Sequence, residues 1–134
     1  MDIPFSDIKL GDSMINNLET LGFTYMTPIQ AQSLPKILDG RDIIAQAKTG
    51  SGKTVAFGIG LLNKLNTNSF HVQSLILCPT RELADQVAKE LRALARFTNN
   101  IKILTLCGGM PIRQQNSSLS HSAHIIVGTP GRVL

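Results

Sequence analysis

The sequence predicts an α/β fold organised around a parallel, doubly wound sheet. Three observations carry this. Short apolar runs alternate with stretches of helical spacing along most of the chain. One junction, Ala47-Lys48-Thr49-Gly50-Ser51-Gly52-Lys53-Thr54, lies between an apolar run and a buried helix and has the form of a phosphate-binding loop. Loops rich in Pro, Thr, Gly and Arg follow other apolar runs, at the sheet edge where ligands collect in such folds.

The elements follow in order. Residues 1–10 read as an irregular lead-in with Phe5 as its one large anchor. Asp12 or Ser13 is placed to cap a helix through Leu21 that carries Met14, Ile15, Leu18 and Leu21 on one face, with Gly22 closing it. Thr27 at the N-cap and Pro28 at the first helical position start a second helix, which breaks at Asp39-Gly40 and is expected to kink at Pro35. A strand at 42–46, containing Ile43-Ile44-Ala45, should lead into the phosphate loop, and a helix should run from it to about residue 65. After the loop Asn66–Ser69, Ser74 to Cys78 reads as a buried strand ending at Pro79. Thr80 caps a helix to about Phe97, with Leu83, Val87, Leu91 and Leu94 at helical spacing. A third strand spans Lys102 to Cys107 and is closed by Gly108-Gly109. A short helix is expected over 111–120. A fourth strand, Ala123 to Val127, ends at Gly128-Thr129-Pro130-Gly131-Arg132.

The bulk properties bound the function. A chain of 134 residues with 43% hydrophobic content is one globular domain, able to bury about two-thirds of its unfolded surface. No apolar run nears the about 20 residues of a membrane span, and the N-terminus does not read as a secretory signal, so a cytoplasmic protein with no membrane partner is the expectation. Cys78 and Cys107 each end an apolar run and read as buried reduced thiols. His71, His121 and His124 form no ligand set with them and read as surface residues. Residues 1–42 hold six acids against three bases, whereas the stretch after Glu90 holds five bases and no acid. A basic C-terminal portion fits a polyanionic partner, and a solvated basic face would look the same.

The phosphate loop has specific physical requirements. Gly50 and Gly52 permit backbone conformations that a side chain forbids, so the loop's N–H groups can face inward as an anion cradle. Lys53 is the residue to reach the β and γ phosphates, and the Thr54 hydroxyl is the ligand for Mg²⁺. The pattern's opening glycine is replaced by Ala47. A ligand-free Gly/Ser-rich turn is the bland alternative.

Gly22-Phe23, Thr27-Pro28-Ile29-Gln30, Ala47–Thr54, Pro79-Thr80-Arg81-Glu82-Leu83-Ala84, Gly108-Gly109 and Thr129-Pro130-Gly131-Arg132, in this order and spacing, resemble the first RecA-like domain of a DEAD-box RNA helicase. The resemblance covers essentially the whole chain, and Ala47 is normal within it. It implies a RecA-like P-loop NTPase domain, in part, with a Q-motif segment at 1–40 and the ATP-binding domain at 41–134. It implies ATP and Mg²⁺ as cofactors and RNA as partner. Gln30 would then recognise adenine, for which a side-chain amide has the donor and acceptor required; a surface glutamine is the bland reading. Phe5 would stack near the base or simply anchor the N-terminus, and Thr27 would contact the phosphate loop or simply cap its helix. Ala47, Lys48, Thr49, Gly50, Ser51, Gly52, Lys53 and Thr54 would hold the phosphates. Pro79, Thr80, Arg81, Gly108, Gly109, Thr129, Pro130, Gly131 and Arg132 would grip the RNA backbone, in a salt-dependent and sequence-tolerant way.

None of the nine acids ends an apolar strand after the phosphate loop, where phosphoryl transfer needs a carboxylate to hold Mg²⁺ and position water. The family's Asp-Glu-Ala-Asp motif and second RecA-like domain would lie beyond Leu134. The expectation is therefore a parent ATP-dependent RNA helicase, with ribosomal RNA as its target, and a 134-residue stretch that binds nucleotide and RNA weakly, hydrolyses nothing and exposes a sheet edge prone to self-association. Two other classes remain. One is a different phosphate-loop enzyme, such as a small nucleotide kinase, although no acceptor site is visible. The other is an RNA-binding module that uses only the basic C-terminal third.

Overall fold

The computed structural model describes residues 2–98, 100–106 and 123–133. Its helices are α1 (Asp12–Thr20), α2 (Pro28–Leu38), α3 (Lys53–Asn63), α4 (Arg81–Leu94) and α5 (Pro130–Val133), and its strands are β1 (Ser74–Leu77), β2 (Ile103–Leu106) and β3 (Ile125–Gly128). The contacts divide into two compact units, residues 1–64 with 93–98 and residues 65–92 with 99–134.

In the first unit the lead-in is pinned by its backbone. Pro4 bridges Tyr25 in antiparallel fashion, and Phe5 N–H donates to Thr24 O at 3.0 Å. Phe5, Met14, Leu18 and Leu34 are buried with Ile59 and Leu62 of α3. Gly22, with φ +87°, closes α1 as its position predicts, and the N–H of Phe23 returns to Leu18 O at 2.8 Å. The N-cap of α1 is Gly11 rather than Asp12 or Ser13, and no side chain caps it. Thr27 occupies the N-cap position of α2 and Pro28 opens the helix, as expected. Pro35 lies inside α2, which continues to Leu38. Helix α2 meets α3 at Gly60, where an added Cβ would lie 2.1 Å from Ile37 Cγ2. Asn17 Nδ2 donates to the carbonyls of Ala93 and Leu94 at 3.0 and 2.9 Å, satisfying acceptors that the end of α4 leaves open.

The second unit holds a three-stranded parallel sheet in the order β1-β3-β2. The expected parallel α/β architecture is therefore present. Leu77 pairs with Gly128, and Leu106 pairs with Gly128 from the other side. Ile125 and Val127 of the central strand are fully buried. Helix α4 buries Ala84, Val87, Ala88 and Leu91, but Leu83 of the expected apolar stripe is 40% exposed.

Three further expectations are corrected. No strand forms at 42–46: the backbone over 41–48 is irregular, and Ile44 is 101% exposed. A parallel strand takes all its hydrogen bonds from a neighbour distant in sequence, and a three-residue apolar run does not supply that neighbour. β1 is only half covered, with Leu75 and Leu77 at 52% and 54% exposure, because it lies at the edge of the described sheet. His124 is not a surface residue; it is fully buried, its ring bonded to two backbone segments. Cys78 is buried as expected. Cys107, His121 and the helix expected at 111–120 lie outside the described residues.

Candidate functional site

Two of the nucleotide-binding candidates, Thr27 and Gln30, meet the phosphate loop at Gly52. Gly50 and Gly52 have φ +81° and +89°, the left-handed region that only glycine enters without strain. Gly52 is also sterically required. A Cβ there would lie 2.3 Å from Gln30 Nε2 and 3.3 Å from Thr27 Oγ1. The reason is that Gln30, only 2% exposed, reaches from α2 to the phosphate loop. Its Nε2 donates to Gly52 O at 3.1 Å, while its Oε1 accepts the N–H of Thr27 at 2.9 Å. The link between α2 and the loop is thus carried by Gln30. A glutamine three residues after an N-cap threonine is the capping-box signal that announces half of this arrangement. The other half is long-range and left no mark in the sequence.

Two hydroxyls beside this junction are unsatisfied. Thr27 Oγ1 and Ser51 Oγ are buried and have no hydrogen-bond partner among the described residues. Lys53 Nζ donates to Ala47 O at 2.6 Å, closing the loop on itself, and Ser51 N–H returns to Lys48 O at 3.2 Å. Lys48, Thr49 and Gly50 are exposed, and Thr54 is half-buried in the first turn of α3. Phe5 is 2% exposed, so its ring is covered by the core it anchors.

In the second unit the parallel register sets two turns side by side. Cys78 N–H donates to Gly128 O at 2.9 Å, and Thr129 N–H donates to Leu106 O at 2.9 Å. The chain then leaves β1 through Pro79-Thr80-Arg81 and leaves β3 through Thr129–Arg132, both at the C-terminal edge of the sheet. Pro79, Thr80 and Arg81 are exposed, as are Pro130 and Gly131. Thr80 Oγ1 accepts Leu83 N–H at 3.2 Å and so caps α4. Arg81 pairs loosely with Asp85 at 3.8 Å; both side chains are more than half exposed, and such a pair contributes little. Arg132 Nη1 is buried and has no hydrogen-bond partner among the described residues. Gly108 and Gly109 lie outside the described residues.

The pattern of the DEAD/DEAH box helicase family matches residues 27–134. The chain belongs to this family. It is 61% identical over 125 residues to the ATP-dependent RNA helicase DbpA of Escherichia coli strain K12, covering 93% of this chain and 27% of that protein. It is 47% identical over 130 residues to the DEAD-box ATP-dependent RNA helicase CshA of Bacillus cereus, with 97% and 25% coverage. Among solved structures, a DEAD box protein from the hyperthermophile Methanococcus jannaschii superposes with a TM-score of 0.90 at 42% identity, covering 100% of this chain and 37% of that one. The fold is accordingly that of a RecA-like helicase domain, and the chain spans about a quarter of the length of the curated relatives it matches. Among the described residues, no three His, Cys, Asp or Glu side chains come together to hold a metal ion, and no helix is long and apolar enough to cross a membrane.

Proposed function

We propose that this chain is the adenine-nucleotide- and RNA-binding portion of an ATP-dependent RNA helicase, with residues 1–40 as the base-reading segment and 41–134 as part of the first RecA-like domain. The observation that carries the reading is Gln30 fastened to Gly52 O across a junction with two orphaned hydroxyls.

The residues fit an adenine nucleotide. A glutamine amide has two lone pairs and two N–H groups. Gln30 commits one lone pair to Thr27 N–H and one N–H to Gly52 O. What remains is one acceptor and one donor, the pair that the adenine N6 amino group and N7 require. Guanine offers two acceptors on the same edge and would set its O6 against the Gln30 carbonyl. Gln30 thereby ties base recognition to the backbone of the phosphate loop. Gly50 and Gly52 leave room for phosphate oxygens close to the backbone, and Lys48 and Thr49 supply N–H groups, joined by Ser51 if its N–H leaves Lys48 O. Lys53, now bonded to Ala47 O, is the residue that would hold the β and γ phosphates. Thr54 is the protein ligand for Mg²⁺, which when bound neutralises developing phosphate charge. Phe5 supports this site from the core, holding the lead-in against Thr24.

The turns at Pro79–Arg81 and Thr129–Arg132 take RNA phosphates, together with Gly108 and Gly109. Arg132, with its orphaned Nη1, and the exposed Arg81 supply charge. Such contacts are read through the backbone and carry little sequence information. In the full-length protein, nucleotide turnover drives strand separation on RNA, with ribosomal RNA as the target, in the cytoplasm. The 134 residues lack the Mg²⁺-holding carboxylate of phosphoryl transfer, so on their own they bind without turnover.

The test is binding of fluorescent ADP to the wild type and to Lys53→Ala, with a labelled single-stranded RNA titrated in parallel at two salt concentrations. The reading expects ADP binding that Lys53→Ala removes and RNA binding that weakens with salt. RNA binding without any nucleotide binding would favour the nucleotide-independent module instead.

A further inference from the structure

His124 is a buried titratable side chain that neither the phosphate loop nor the strand-end turns use. It is 0% exposed. The backbone N–H of Lys102, which can only donate, lies 3.0 Å from Nδ1. Nδ1 must therefore be an acceptor, and the ring proton sits on Nε2. Nε2 in turn lies 3.3 Å from the carbonyl oxygen of Thr67, an acceptor. One neutral tautomer satisfies both neighbours. The backbone of the same residue adds three bonds: its N–H donates to Lys102 O at 3.0 Å, and its carbonyl accepts the N–H groups of Gln73 and Ser74 at 2.8 and 3.3 Å. The Phe70 ring lies against the imidazole, with centroids 5.3 Å apart.

The loop this residue closes is a built one. Gln73 Oε1 accepts Asn66 N–H at 2.8 Å, and Gln73 Nε2 donates to the carbonyls of Asn66 and Ser69 at 2.8 and 3.0 Å. Gln73 therefore ties the loop to itself, while His124 ties it to the sheet.

We propose that His124 is a proton-sensitive clasp: its neutral ring fastens the 65–73 loop to the starts of β2 and β3, and protonation of the ring opens it. A proton on Nδ1 sets one N–H against the Lys102 N–H, which loses its acceptor, and places a charge in a fully buried position. The segments packed on the ring, 65–74, 100–104 and 123–126, carry two titratable groups besides His124 and no carboxylate. One is His71, exposed and directed to Ser69 Oγ. The other is Lys102, already cationic. Nothing in these segments offsets an imidazolium. The consequence reaches function because His124 directly precedes β3 (Ile125–Gly128), which then delivers Thr129–Arg132. Opening the clasp loosens the strand that aims this turn.

The test is nitrogen-15 NMR of the histidine rings in the whole 134-residue chain, with His124 assigned by difference against His71→Gln and His121→Gln. Near neutral pH the clasp requires the Nε2–H tautomer and a Lys102 amide protected from exchange. On acidification, protection of the Lys102 and Gln73 amides should fall at least about tenfold wherever the His124 ring signals report a proton on Nδ1. The urea midpoint should fall on acidification further in the wild type than in His124→Gln. An Nδ1–H tautomer overturns the clasp, and so does a protonated His124 whose Lys102 amide remains protected. Wild-type and His124→Gln midpoints that fall in parallel also overturn it. Should His124→Gln fail to fold, the wild-type tautomer and amide protection decide the matter alone.

Discussion

Replacing Gly52 by alanine probes the junction between α2 and the phosphate loop directly. At φ +89° any L side chain is strained, at a cost of about 1–2 kcal/mol. The new Cβ would also fall 2.3 Å from Gln30 Nε2 and 3.1 Å from its Cδ. The end of a glutamine side chain can swing away, so the clash itself is escapable. Its consequence is not: the bonds to Gly52 O and Thr27 N–H are lost, and an amide only 2% exposed is left unsatisfied. That adds about 1–3 kcal/mol. Gly50 is the internal control. Its φ of +81° is as restrictive, yet a Cβ there meets nothing within 4 Å. Gly50→Ala should therefore cost the backbone term alone, and Gly52→Ala about 1–3 kcal/mol more. With a urea dependence of about 1–3 kcal/mol per molar, the two midpoints should differ by about 0.3 to 3 M. Adding Gln30→Ala to Gly52→Ala should cost less than the two singles summed, because the second change removes a side chain already displaced. Equal midpoints for Gly50→Ala and Gly52→Ala, or strict additivity with Gln30→Ala, would refute the reasoning.

Other substitutions test the remaining contacts. Gly60→Ala should destabilise in urea melts even though alanine favours a helix by about 1 kcal/mol, because its Cβ would lie 2.1 Å from Ile37 Cγ2; Ile37→Ala should recover part of the loss. Asn17→Ala removes two bonds to the carbonyls of Ala93 and Leu94 and should cost about 1–2 kcal/mol without changing ADP affinity. Thr80→Ala should lose about 1 kcal/mol of capping, seen as faster amide exchange in the first turn of α4. Arg81→Ala and Arg132→Ala should each weaken RNA binding and lower the salt slope by about one ion, with little dependence on RNA sequence.

Most of the helical scaffold was legible in the sequence because its signals are local. Thr27-Pro28 fixed the start of α2, and Gly22 fixed the end of α1 through a left-handed φ. The apolar runs of β1, β2 and β3 and the polar turns after β1 and β3 were legible for the same reason. What escaped was decided by distant partners. Ile43-Ile44-Ala45 resembles the other runs, yet strand formation depends on a neighbour that the run itself does not encode. His124 resembles His71 in sequence, and its burial follows from three segments closing on it. Within the site, the left-handed conformations of Gly50 and Gly52 were legible from the motif. The Gln30–Gly52 bond was not, since the two residues lie 22 positions apart.

The central claim is that Gln30 reads adenine while holding the phosphate loop. The most direct measurement is competition of bound fluorescent ADP by unlabelled ADP and by GDP, in the wild type and in Gln30→Ala. The account expects ADP to compete better than GDP in the wild type, and the preference to vanish in Gln30→Ala. Equal competition by ADP and GDP in the wild type, or a preference that survives loss of the Gln30 amide, would contradict it.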